Sequence, residues 1–145
     1  MRALDITGYV SGRREGATMP TAVVLVSVEC PFAYDLDTFA NVVLDRWPGA
    51  AFVPASGRIA ELSLGQWQVP HRDAWPDMVL IEFDAKGGAL SFDSPEDELR
   101  AEAIAVSTTV PGFPDDGSVI LAEWAPDFVP LRPNTTAEDL LALIV

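Results

Sequence analysis

Two short apolar runs, Met78–Ala85 and Ala89–Asp93, flank Lys86-Gly87-Gly88, and Ser94-Pro95-Glu96-Asp97 follows at once. A brief glycine-bearing spacer between two apolar runs is the signature of a β-hairpin. A capping serine, a proline at the first helical position and then acids read as a helix start. The spacing predicts a helix to about Thr108, with Leu99, Ala103 and Val106 turned inward. A hairpin that hands the chain straight to a helix narrows the choice of folds. It points to an α+β chain, with helices laid on one face of a mostly antiparallel sheet.

The flanking sequence extends this pattern. Ala22–Glu29 is rich in valine and nearly all apolar, as a central strand requires. Next comes a helical pattern, with Leu36, Phe39, Val43 and Trp47 on one face and Asp37, Asn41 and Asp45 opposite. Asp35 is its expected N-cap, and Pro48-Gly49 ends it. Ala51–Pro54 is a further strand, and Ala55-Ser56-Gly57 a turn. Arg58–Leu64 reads as a strand with Ala60, Leu62 and Leu64 on one side, and residues 66–77 as a long loop with two tryptophans. Val119–Trp124 is a last strand, and Thr136 caps a short terminal helix bearing Leu140, Leu141, Leu143 and Ile144. The order suggests a ferredoxin-like βαββαβ sandwich with an extra strand and a short C-terminal helix. Residues 1–18 read as a flexible polar arm, and residues 19–145 as one acidic α+β domain.

Charge excludes several functions. Twenty-two acidic residues against 9 basic give a net charge of −13 in 145 residues. The expected arm takes Arg2, Arg13 and Arg14 with it against only Asp5 and Glu15, so the body is the more acidic part. Nucleic acid and anionic membrane surfaces would repel such a chain. No apolar run reaches the roughly 18 residues of a membrane span, and the first residues lack the apolar centre of a secretory signal. With Cys30 as the single cysteine, the expected location is the cytoplasm of a bacterial or infected host cell.

Catalytic and cofactor motifs do not emerge. There is no GxxxxGK[ST], and Gly87-Gly88 lies in the hairpin rather than before a helix. One histidine, His71, and one cysteine cannot supply the usual zinc ligands. Asp35 and Asp37 form a D-x-D, but capping accounts for Asp35, and turn formation accounts for Asp115-Asp116. The expectation is a protein without cofactor, metal or catalytic set.

Surface chemistry remains. Glu96, Glu98 and Glu102 are expected on the second long helix, with Glu98 and Glu102 four residues apart on one face. Trp67 and Trp75 flank the His71-Arg72-Asp73 loop, and Phe113 stands between prolines. Acids beside exposed aromatics suit a protein interface, where charge steers the encounter and aromatic rings anchor it. In composition, though in no motif, the chain resembles bacterial immunity proteins and phage-encoded inhibitors of defence nucleases, some of which mimic nucleic acid. The expected function is therefore a non-enzymatic inhibitor, monomeric or homodimeric, of a basic nuclease or nucleic-acid-binding effector. Glu96, Glu98, Glu102, Trp67 and Trp75 are its expected contacts. A small-molecule-binding or enzymatic α+β domain is the alternative, which a deep cleft holding His71 or two close carboxylates would favour.

Overall fold

The computed structural model describes residues 21–70, 78–125 and 127–144. Its elements run β1 (Thr21–Val26), α1 (Leu36–Arg46), β2 (Ala51–Pro54), a 3-10 turn (Gly57–Glu61) and β3 (Ser63–Pro70). They continue with β4 (Met78–Asp84), β5 (Ala89–Asp93), α2 (Asp97–Ser107), β6 (Val119–Ala122), β7 (Val129–Pro130) and α3 (Ala137–Leu141). A last 3-10 turn spans Ala142–Ile144. Among the described residues this makes an α+β architecture of seven strands and three α-helices. The strands form one sheet in the order β2-β3-β4-β5-β1-β6-β7, and every neighbouring pair is antiparallel. This is not the simple four-strand ferredoxin order, because β2 and β3 extend one side and β7 the other.

Alternation along each strand separates two faces. Ala22 and Val24 of β1, Trp67 and Val69 of β3, Ile81 and Phe83 of β4, and Leu90 and Phe92 of β5 are buried. Against them pack Phe39 and Val43 of α1 and Leu99, Ala103 and Ile104 of α2. Phe39 and Tyr34 both meet Phe83 edge-on, with centroids 5.4 and 6.4 Å apart. The core therefore lies between the sheet and the helices. Trp124 ties α3 to this body, since its indole N–H donates to Leu140 O at 2.9 Å.

The hairpin and the first helix form where the sequence places them. Asp84 Oδ2 accepts from the N–H groups of Lys86 and Gly88 at 3.0 and 3.3 Å, closing the turn. Gly87 has φ +74°, and a Cβ there would meet Tyr34 O at 2.3 Å. The close approach lets Tyr34 N–H donate to Gly87 O at 2.8 Å, which fixes the lead-in to α1. Asp35 caps α1 as expected, accepting from Thr38 N–H at 3.0 Å.

Other elements differ from expectation. Strand β1 stops at Val26, where Cys30 N–H turns back to Ser27 O. Helix α2 begins at Asp97, with Glu96 at the N-cap and no side-chain capping bond. Ser94 Oγ instead accepts from Glu96 N–H at 3.3 Å, a local turn that holds Pro95 ahead of the helix. Val106 is only half-buried, whereas Arg100, Ala101 and Ile104 are buried. The largest correction concerns 58–70. Residues 57–61 form the 3-10 turn, and β3 runs through Gln66–Pro70, where the sequence pattern suggests a loop. Its inward face is Gly65, Trp67 and Val69; a register shift between Ser63 and Gly65 interrupts the alternation, and Leu62 and Leu64 are exposed. Small and polar residues alternate with Trp67 and Val69 here, and that hides the period of two.

Both sheet edges end in outward-facing prolines. Ala55 N–H donates to Leu64 O at 3.1 Å, so ladder alternation turns the backbone of Ala51 and Val53 towards β3 and that of Phe52 and Pro54 outward. At the other edge Leu131 N–H donates to Val119 O at 2.9 Å, which turns Pro130 outward. A proline offers no N–H to an incoming strand, so both edges resist strand addition.

Candidate protein-binding surfaces

The helical layer is acidic. Helix α1 contributes Asp37 and Asp45, α2 contributes Asp97, Glu98 and Glu102, and α3 contributes Glu138 and Asp139. All are exposed except Glu102, which is half-buried. The only basic residues in these helices are Arg46 and Arg100. Arg46 Nη2 donates to Glu102 Oε2 at 2.8 Å. Arg100 is buried, pairs with Asp97, donates to Ser94 O at 3.0 Å and lies 5.4 Å from the Trp124 ring centroid. Burial lowers its pKa, against the opposing pull of Asp97 and then Asp93.

The expected contacts are distributed differently from the sequence reading. Glu98 is exposed in the first turn of α2, and Glu96 is half-buried at its N-cap, where negative charge meets the positive end of the helix dipole. Glu102 is engaged by Arg46, so the expected Glu98–Glu102 stripe does not present two equivalent carboxylates. Trp67 is 4% exposed and packs on Phe52 with centroids 5.3 Å apart. It is a core residue and offers no surface to a partner, because β3 turns its odd-numbered residues inward. Phe113 is likewise buried. Trp75, with His71, Arg72 and Asp73, lies outside the described residues, as does the 1–18 arm.

The second face of the sheet carries a different chemistry. One row across it runs Val53, Gln66, Glu82, Ser91, Val23 and Ala122, from β2 to β6. The next row includes Gln68, Leu80, Asp93 and Thr21, and Leu25 and Ile120 pair further along. Glu82 is thus a diagonal neighbour of Asp93. Thr21 Oγ1 donates to Asp93 Oδ1 at 2.6 Å. Burial first, and the Asp93 carboxylate second, push the Glu82 carboxyl up to about 7. Among the described residues Glu82 has no hydrogen bond or ion pair to hold its charge.

Elsewhere, several polar side chains have local partners. A cavity of about 240 Å³ lies between Phe32, Tyr34, Asp35, Thr38 and Val110. Its Asp35 carboxylate is taken by the N–H and hydroxyl of Thr38, which hold it below the usual carboxylate range. Tyr34 O–H points to Ser107 O at 3.4 Å, and burial raises its pKa far above the ordinary phenol value. Asp116 accepts from Ser118, which lowers its pKa, and Asp115 lies 3.8 Å from Arg132. Cys30 is a half-buried free thiol. Among the described residues no group of three His, Cys, Asp or Glu is placed to hold a metal ion.

Sequence reasoning missed Glu82 and the exposed apolar residues around it. Glu82 interrupts the apolar run of β4, and that break was the available signal. Phe128 was also missed: it is 69% exposed beside Asp127, in the segment leading to β7. In comparisons with known proteins, no family model, no curated protein and no solved structure matches this chain.

Proposed function

We propose that this protein is a non-enzymatic interaction protein that binds and occludes a basic, nucleic-acid-handling partner. The observation that carries the reading is the helical layer, whose exposed carboxylates outnumber basic groups that are themselves tied to Glu102 and Asp97. Carboxylates on such a layer would meet Lys and Arg lining the partner's nucleic-acid groove, as in immunity proteins and nucleic-acid mimics. Glu98 and Glu96 are the contacts retained from the sequence, at the open end of α2. A cytoplasmic site of action fits this partner, and no helix among the described residues is long and apolar enough to cross a membrane. For the fold, we propose that β1, α1, β4, β5, α2 and β6 constitute a ferredoxin-like unit with β2 and β3 inserted after α1. The sheet order β4-β5-β1-β6 supports it.

The test is affinity capture from host lysate, washed at low and then high salt, followed by a nucleic-acid cleavage or binding assay on the eluted protein. A basic protein that elutes with salt and loses activity when this chain is added is the expected result. Captured proteins whose activity is unchanged by the chain would end the inhibitor reading.

A further inference from the structure

The geometry points to the second face of the sheet as the docking site for a basic amphipathic segment of a partner protein, with a Lys or Arg set over Glu82 between apolar side chains. This rests on the basic-partner reading above and moves its anchor from the helices to the sheet. Val23, Leu80 and Ile120 on this face are half-buried, Leu25 and Val53 on it are exposed, Leu64 at the β3 register shift is exposed too, and none of the six belongs to the core. Ile59 and Leu62, in and after the 3-10 turn that connects β2 to β3, are 53% and 64% exposed. An apolar surface of this kind, rimmed by polar groups, marks an interaction site.

Charge selects the occupant. No Lys or Arg occurs in any of the seven strands. Among the described strand residues the charges on this face are Glu82, Asp84 and Asp93. Asp84 is spent on the hairpin turn and Asp93 is engaged by Thr21, whereas Glu82 retains a carboxylate with no described partner. A second copy of the chain would set like charges against each other, and the outward prolines close the sheet edges to it. A cation flanked by apolar residues would compensate Glu82 and cover the rest, and apolar side chains along it would match rows of residues that the core does not use.

The test is an NMR titration of the full chain at pH 8, using two synthetic peptides of equal length, one alternating leucine with lysine and one of lysine alone. The expected result is that the alternating peptide moves the amide signals of Val23, Leu80, Glu82 and Ser91 and binds more tightly than polylysine. Glu82→Gln and the double variant Val53→Ser/Leu64→Ser should each weaken it several-fold, with circular dichroism confirming that both are folded. Shifts confined to the α2 start around Asp97 and Glu98, for either peptide, would overturn the sheet site and leave the basic-partner reading standing. Binding of neither peptide would count against both. A dimer in sedimentation whose dissociation on dilution moves the same sheet signals would assign the face to a second copy and overturn the proposal.

Discussion

Replacing Glu82 by Gln should raise stability at pH 8 and leave it nearly unchanged at pH 4.5. Burial among β-sheet side chains, reinforced by Asp93, moves the carboxyl from its ordinary 4.5 to about 7. The unfolded chain therefore releases this proton near 4.5, while the folded chain keeps it until about 7. Between those values the folded state binds more protons, so stability from this site falls as pH rises. The contribution is fully present below about 4.5 and fully lost above about 7. Each pH unit of displacement is worth about 1.4 kcal/mol, which sets a ceiling of about 3.5 kcal/mol. Glu82 is only half-buried, so solvent screening reduces the expected effect to about 1–2 kcal/mol. Glutamine keeps the shape and carries no charge at any pH. Urea unfolding followed by tryptophan fluorescence at pH 4.5 and 8 measures the difference directly. The variant should gain about 1–2 kcal/mol over the parent at pH 8 and little at pH 4.5. An equal difference at both pH values, or a less stable variant at pH 8, would refute the claim that an uncompensated carboxylate sits on this face.

Three further perturbations test the framework. Gly87→Ala forces a Cβ at φ +74° to within 2.3 Å of Tyr34 O, and should cost at least about 1–3 kcal/mol in thermal or urea unfolding; an unchanged midpoint would mean the hairpin is not locked to the α1 lead-in. Trp124→Phe removes the donor to Leu140 O and should cost about 1–2 kcal/mol, with faster amide exchange across α3 than across β4; equal protection in the variant and the parent would show that α3 is held by other contacts. Pro54→Thr restores an outward N–H on the β2 edge and should promote self-association on sedimentation, where an unchanged mass across the concentration range would discount the proline as an edge guard.

Much of the scaffold was legible because it depends on local chemistry. Asp35 caps α1, the 86–88 turn closes the hairpin, and Thr136 forms a capping box with Asp139, all within a few residues. The same reading failed at β3, where glycine, serine and glutamine dilute the period and Leu62 and Leu64 look like core residues but are exposed. It failed at Pro95 because the Ser94 turn competes with the helix start. The candidate site was less legible than the fold. Trp67 looked like an anchor in a loop, but its burial follows from a strand register that only pairing with β2 and β4 sets. Glu102 looked free, but Arg46 lies 56 residues earlier in the chain.

The sequence by itself determined that this chain is acidic, that it alternates strands with helices, and where several of its turns and caps fall. Those properties follow from composition and from interactions between neighbours in the chain. Tertiary structure alone decided which residues share a surface. It united Val53, Glu82 and Val23 from three separate strands, withdrew Trp67 into the core, and turned Pro54 and Pro130 outward at opposite edges. Strand register sets each of these, and a shift of one residue exchanges the two faces of a strand.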